Sequence, residues 1–466
     1  MSLSALSIHA HFYQPPREDP WTGEIPIEKG SAPFPNWNER IHAECYLPNA
    51  VLGNFAKVSF NIGPTLFSWL GEHHPDTMHQ IIAQDRANYQ RYGVGNAMAQ
   101  AYNHSILPLS GYQDKLTQVY WGLAEFEHRF GHKAVGLWLP ETAVDYETLE
   151  ILSQLGVEYT ILAPWQSERQ DIDPSEPYIV QLPQARNITV FFYQRELSGQ
   201  VSFDAGATIN ADQFAMQLLK PQLNTAKSRR GEPQILMIAS DGELYGHHKN
   251  HRDRFLARLV DGASEAAGLY TTFPSLWLRN HAPRQFTRIR ERTSWSCHHG
   301  VMRWSGACAC TPGKAEWKAR LRQAFDNLAG ELDGLYREFV RPLVGDPWRL
   351  RQRYIHVMLG EMGMPALISE QTANTLSREQ MKRATLLLEA QRERQRMFTS
   401  CGWFFEDFDR IEPRNCVAYA AQAVRLARQA TGVDLAPGAI KDLRHVISPY
   451  TRLNAAQVFE SYLDRS

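Results

Sequence analysis

These 466 residues carry no surplus of either charge: Lys plus Arg number 49 and Asp plus Glu 50, for a formal net charge of −1. A protein that neutralises many phosphates shows an excess of cations, so the balance argues against a nucleic-acid partner. Long apolar runs are also missing. Nothing exceeds a short burst such as residues 235–239, far below the roughly 20 residues that cross a bilayer, and no membrane segment is expected. Cysteine is scarce, with six residues at positions 45, 297, 308, 310, 401 and 416. That is too sparse for a disulfide scaffold. The opening MSLSALSIH holds neither a basic stretch nor a long apolar one, which argues against a secretory leader. Together these features predict a cytoplasmic, reduced protein. No GxGxxG or Walker glycine pattern follows any strand-like segment, which weakens a nucleotide-binding reading.

Apolar residues make up 43% of the chain, enough for a large core, and 12 Trp, 18 Tyr, 21 Phe and 17 His accompany them. Aromatic faces and imidazoles suit an uncharged, polyhydroxylated ligand such as a sugar, although a large core also consumes aromatics. Strand-like runs fall at 6–12, 57–63, 134–139, 158–163 and 234–240. Amphipathic stretches at 75–92, 112–130, 146–155, 211–223 and 253–267 separate them. Near-continuous apolar strands alternating with helices predict an α/β fold with a parallel sheet covered on both faces, here a distorted (β/α) barrel spanning residues 1–285. Beyond about 286 the pattern turns helical. Trp317, Leu321, Phe325, Leu328, Leu332, Leu335 and Phe339 recur at helical spacing, with Thr311-Pro312 as the expected start and Pro342 as the expected stop. Further helices are expected over 378–398, 415–431 and 455–463, so residues 286–466 read as an α-helical C-terminal domain.

In a parallel barrel the chemistry gathers at the carboxyl ends of strands. The first strand carries His9 and His11, two residues apart and therefore on one face. They read as ligand- or substrate-facing groups, with a metal pair or two structural histidines as alternatives. Glu141 follows the apolar strand that ends Trp138-Leu139-Pro140; its alternative is a helix cap. Asp241 and Glu243 follow the buried strand 234–240 within DGELYGHH, a turn far more charged than a structural loop needs. His104, after Tyr102-Asn103, is either a residue of the same mouth or a core histidine.

At these positions the chain is similar to glycoside hydrolase family 57, and within it to the bacterial branch with a C-terminal DUF3536 domain. The likeness rests on HAHFYQPPRE (9–18), GLWLPE (136–141) and SDGELYGHH (240–248), in that order. TSWSCHHG (293–300) and TSCGWFF (399–405) resemble the appended domain. In the first motif Phe12-Tyr13 intervene before Gln14, where the family has Gln directly after the second His. The resemblance implies a distorted (β/α)7-type barrel followed by helices and a retaining enzyme acting on α-glucans or maltooligosaccharides by hydrolysis or transglycosylation. It implies Glu141 as nucleophile and Asp241 as general acid/base, with His9 and His11 among the substrate contacts. Gln14, Trp21, His104, Trp138, Glu243, His247, Trp295 and Trp403 are further candidate substrate-binding residues, Trp138 foremost among the sugar platforms, with core packing as the alternative for any one Trp.

No cofactor and no metal are expected. The array Cys297, Cys308, Cys310 with His298 and His299 departs from the C-x2-C pairs of most structural zinc sites and reads as buried or loop thiols. A metal-dependent polysaccharide deacetylase or mannosidase-like hydrolase, and a catalytically silent glucan-binding protein, are the competing readings.

Overall fold

Ten strands form where apolar segments are bounded by turn residues in the computed structural model, which describes residues 3–465. They are β1 (Ser4–Phe12), β2 (Ser59–Ile62), β3 (Ala99–Gln100), β4 (Leu137–Trp138), β5 (Tyr159–Leu162), β6 (Tyr178–Gln181), β7 (Asn187–Phe192), β8 (Gln234–Asp241), β9 (Tyr270–Thr271) and β10 (Gln285–Thr287). Eight of the nine residues of β1 and seven of the eight of β8 are buried, as expected of parallel strands covered on both faces. β8, β1 and β2 lie side by side and parallel, with β9 also pairing with β1; β5, β7, β6 and β10 make a second sheet and β3 with β4 a third. Only β6 and β7 run antiparallel.

The α/β class follows from the alternating pattern. The ladders, however, form three sheets rather than a closed barrel among the described residues. The reason is strand length: β3 and β4 are two residues each, so their links to the neighbouring sheets are single bridges, Phe60 with Ala97 and Gly136 with Tyr159. Patterning also overlooks β3, β6, β7, β9 and β10.

Two compact units emerge. The first combines the chain up to Gln14 with Ile27–Ala101 and Phe126–Trp295, and it holds all ten strands. Its core is built by Ala5, Trp138, Tyr159, Ile161, Phe191, Ile235, Met237 and Trp277. The second combines Pro15–Pro26, Tyr102–Glu125 and the chain from Ser296 onward.

From Trp317 to Leu463 the regular structure is entirely helical. Helix Trp317–Val344 buries the expected stripe, including Leu321, Phe325, Leu328, Leu332 and Leu335. Its ends differ from expectation. It begins at Trp317, because Thr311 spends its hydroxyl on the Lys318 ammonium rather than on a cap. It continues through Pro342, which falls in the last turn, and Gly345 ends it with φ +79°. Arg378–Arg396, opened by a Ser377/Gln380 capping box, packs along Ile411–Thr431. No helix among the described residues is long and apolar enough to cross a membrane.

Candidate active site

Parallel pairing places the ends of β8, β1 and β2 next to one another. In register, His11 is flanked by Asp241 on one side and Asn61 on the other. His9 lies two residues earlier on the same face, and both imidazoles are buried. Asn61 ties them together: its Oδ1 lies 3.1 Å from His9 Nε2 and 3.1 Å from His11 Nδ1, and its Nδ2 donates to Gln100 Oε1 at 2.6 Å. Ser59 Oγ lies 3.0 Å from His9 Nδ1. Burial lowers the pKa of His9 to about 3 and of His11 to about 4. Both rings are neutral near pH 7, and they act as hydrogen-bonding groups rather than cations.

Trp138, at the end of β4, stacks on His9 at 4.5 Å and on His11 at 5.3 Å between ring centroids, and Trp295 meets it edge-on at 5.1 Å. Trp138 and His9 are both 0% exposed. They therefore present no face to a ligand here, and the sugar-platform role expected of Trp138 gives way to support from beneath. Trp295 is the accessible indole of the group, and its Nε1 donates to Glu141 Oε2 at 2.9 Å.

Glu141 occupies a tight turn after β4. It and Thr142 adopt left-handed backbone angles, φ +57° and +49°, which non-glycine residues rarely hold without outside support. That support is visible. The Glu141 carbonyl accepts from the Trp295 N–H at 3.0 Å, while Gln166 accepts from the Thr142 hydroxyl at 2.8 Å and donates to the Thr142 carbonyl at 2.8 Å.

Asp241 ends β8. Its side chain is open to solvent, yet it is deeply surrounded by protein atoms, the combination found on the floor of a cleft. Burial, and then the charge of Glu141, push its carboxyl up to about 7. The turn that follows depends on Gly242, where a Cβ would lie 2.4 Å from the Phe12 ring. Glu243 is buried beneath. Its Oε1 accepts from the Tyr46 hydroxyl at 2.8 Å and from the Tyr13 N–H at 3.1 Å. Burial and the charge of Asp241 nonetheless raise it to about 8. Gln14 joins this set through a hydrogen bond to Tyr46.

The structure thus gathers His9, His11, Trp138, Trp295, Glu141, Asp241, Glu243 and Gln14 around one set of strand ends. His247 is turned elsewhere in the same unit, with Nδ1 2.5 Å from Glu44 Oε2 and its ring edge-on to Trp37. Trp21, His104 and Trp403 belong to the second unit. Trp403 is 1% exposed, packs on Phe325 and Phe398, and donates to the Lys318 carbonyl; it is core. His104 is buried with Nδ1 2.6 Å from Ser400 Oγ, which favours the core-histidine alternative. Trp21 packs on Tyr462 with Arg425 over its ring. Sequence reasoning missed Asn61, Gln100, Tyr46 and Gln166. The one available signal was a polar residue inside the strand-like run 57–63.

Two carboxyl groups therefore stand at separate strand ends, Glu141 accepting from an indole N–H and Asp241 raised toward neutrality. The chain belongs to glycosyl hydrolase family 57, whose family model matches residues 13–290. A second family model, the domain of unknown function DUF3536, matches residues 314–465. Among curated proteins, an α-amylase from Pyrococcus abyssi (strain GE5 / Orsay) is 28% identical over 152 residues, which cover 33% of this chain and 20% of the relative. The match thus spans about a fifth of that relative's length. Among solved structures, an exo-type maltose-forming amylase from Pyrococcus sp. ST04 superposes with a TM-score of 0.78 at 14% identity, covering 99% of this chain and 92% of that one. A GH57-type branching enzyme from Pyrococcus horikoshii superposes with a TM-score of 0.64 at 16% identity, covering 100% and 97%. These likenesses concern the fold.

Proposed function

We propose that the chain is a retaining enzyme acting on α-glucans, by hydrolysis or by transfer to another sugar hydroxyl, with Glu141 as nucleophile and Asp241 as general acid/base. The observation that carries this reading is the Asp241 carboxyl, raised to about 7 by burial and by the charge of Glu141. A retaining glycosidase needs one carboxylate ionised to attack the anomeric carbon and one carboxylic acid to protonate the departing oxygen. Here burial and the charge of the ionised group together keep Asp241 an acid. When Glu141 forms the glycosyl ester its charge disappears, so one cause of the raised Asp241 pKa is removed. Asp241 then becomes a carboxylate able to take the proton from water or from an acceptor sugar.

The remaining residues keep that pair in place. The Trp295 N–H steadies the Glu141 carboxylate, and Gln166 holds the strained turn. The partly exposed Trp295 ring suits the apolar face of a pyranose, and the neutral His11 beside it suits sugar hydroxyls. The scaffold is a distorted (β/α)7-type barrel. Supporting it is the order β8, β1, β2, β3, β4, β5, β7, all parallel neighbours through ladders or single bridges. The Gln194 N–H donates to the Met237 carbonyl at 2.7 Å, bringing the end of β7 back toward β8. The α-glucan substrate is supported by the amylase and branching-enzyme names of the similar proteins.

A metal-dependent deacetylase or mannosidase-like hydrolase would require ligands gathered at this cleft. Among the described residues the groups with metal-ligand geometry are Cys297/His299/Cys308/Cys310 and Glu39/His42/His74, and neither includes a residue of the carboxylate pair. The test is Glu141→Gln assayed for product release from maltooligosaccharides and glycogen. Loss of about 10⁴-fold or more in turnover with unchanged circular dichroism is expected; undiminished turnover overturns the assignment.

A further inference from the structure

In the second unit, the loop preceding helix Trp317–Val344 draws together residues that are distant from one another in any C-x2-C sense. Cys297 Sγ lies 3.5 Å from Cys308 Sγ, and His299 Nδ1 lies 3.1 Å from Cys308 Sγ and 3.4 Å from Cys310 Sγ. All four donor atoms fall within 4.8 Å of one another. A tetrahedral zinc with Zn–S near 2.3 Å and Zn–N near 2.0 Å sets its sulfurs about 3.8 Å apart and its S···N pairs about 3.5 Å apart. The observed separations match that polyhedron slightly contracted. They do not match a disulfide, whose sulfurs sit about 2.05 Å apart. No disulfide is formed among these cysteines.

We propose that Cys297, His299, Cys308 and Cys310 form a structural zinc site that closes the loop 297–310. This replaces the reading of the array as separate thiols. The donor set selects the ion: three thiolates and one imidazole in a tetrahedron suit zinc rather than a hard cation. With every position taken by protein the site is closed, which is the structural and not the catalytic pattern.

The surroundings agree. Backbone N–H groups of His299 and Arg303 reach Cys297, and the N–H groups of His298 and Cys310 reach Cys310 and Cys308 sulfurs respectively. Thiolates, unlike thiols, use such donors fully. Three thiolates with Zn²⁺ leave a net charge of −1. Lys318 answers it. This lysine is 0% exposed, hydrogen-bonds to Thr311 Oγ1 at 3.0 Å, and sits in the field of Cys308, Glu406 and Cys297, with Arg303 opposing them. A buried ammonium needs nearby negative charge, and an anionic zinc–thiolate centre adds to that of Glu406. Arg303 adds a second cation, donating to the Cys310 carbonyl at 2.7 Å. His299 is exposed and Cys310 partly so, which gives the ion a path in.

The experiment uses the full chain, purified without chelator or polyhistidine tag and analysed for metal by mass spectrometry. One zinc per chain is expected in the native protein. After zinc removal with a thiol-blocking mercurial and a chelator, followed by thiol recovery, added Co²⁺ should give the intense visible bands of tetrahedral cobalt with a thiolate charge-transfer band. Cys308→Ser and Cys310→Ser should each lose most of the zinc, whereas Cys401→Ser, in the same unit and outside the cluster, should keep it. Cys310 is the safer variant for folding because it lies at the surface side of the cluster. Native protein that holds no zinc and gives no tetrahedral cobalt spectrum overturns the proposal, as does an iron–sulfur chromophore or full zinc retention in Cys310→Ser. None of these readouts depends on glucan turnover, so the zinc site and the catalytic reading stand or fall separately.

Discussion

Two clusters of buried charge, one in each unit, behave in opposite ways. In the first, the largest charge acting on Asp241 is that of Glu141, and on Glu243 that of Asp241. Like charges accumulate there, and two carboxyls are driven toward neutrality. In the second, Arg351 is 0% and Arg394 5% exposed, and both grip Asp114, with Nη2 of Arg351 at 3.0 Å from Oδ1 and Nη1 of Arg394 at 2.5 Å from Oδ2. Arg394 also reaches Asp333 at 2.7 Å. Burial alone would raise Asp114; the two guanidiniums overcome it and hold the carboxyl down at about 2. Compensated charge specifies packing, whereas uncompensated charge beside a cleft is poised to exchange a proton.

After the loss expected in Glu141→Gln, the largest effect that sharpens this contrast is on Asp241 itself. Asp241→Asn should lower kcat/KM by about 10²–10⁴-fold. In the native protein the alkaline limb of the kcat/KM profile should have its midpoint near 7, because the proposed mechanism needs Asp241 protonated and burial together with the Glu141 charge keeps it so. In Glu141→Gln the Asp241 carboxyl titration, followed by difference infrared spectroscopy, should move to lower pH. A midpoint that stays or rises breaks the account of a shared negative charge.

What the chain reveals by itself follows from the same contrast. Glu141 and Asp241 are conspicuous because each follows an apolar strand that has no local need for charge. His9 and His11 stand out through their period of two. Asn61 and Gln100 escape notice because β2 and β3 are only four and two residues long, and one polar residue in so short a run resembles a turn. His104 and Trp403 mislead in the other direction: His104 lies in a short polar stretch before an apolar run and Trp403 in a motif dense with Gly, Cys and aromatics, yet each is consumed by packing. The cysteine cluster is hidden by spacing, since only the folded loop brings C-x-H and C-x-C together. The proposed barrel is the hardest element to read, because β3 and β4 contribute two ladder residues each.

On the compensated side, Asp114→Asn strips one partner from two buried guanidiniums and should cost about 3–5 kcal/mol. The native contribution has a defined pH window. A carboxyl held near 2 instead of its usual 3.8 stabilises the fold above the unfolded value, and that stability is lost as pH falls from about 4 toward 2. Chemical denaturation across that range should show the native protein losing its advantage over Asp114→Asn as the pH drops. A difference that does not narrow in acid would mean the Arg351–Arg394 pair does not depend on Asp114 for its charge balance.

Glu243 provides the most discriminating effect, because its sign is reversed. Its folded pKa, about 8 against the usual 4.5, lies above the unfolded value. The stabilisation from keeping it neutral is therefore complete below about 4.5 and is lost as pH rises through 8. Glu243→Gln keeps an oxygen to accept from the Tyr13 N–H and the Tyr46 hydroxyl but has no charge to bury. The variant should match the native protein in acid and unfold at a temperature a few degrees higher at pH 9. The measurement is the variant-minus-native unfolding temperature from pH 4 to 9, followed by tryptophan fluorescence. A rising difference places an uncompensated carboxylate beneath Asp241. A flat one would show that Tyr46 and the Tyr13 N–H already satisfy Glu243 as an anion, and the first unit would then handle this charge as the second handles Asp114.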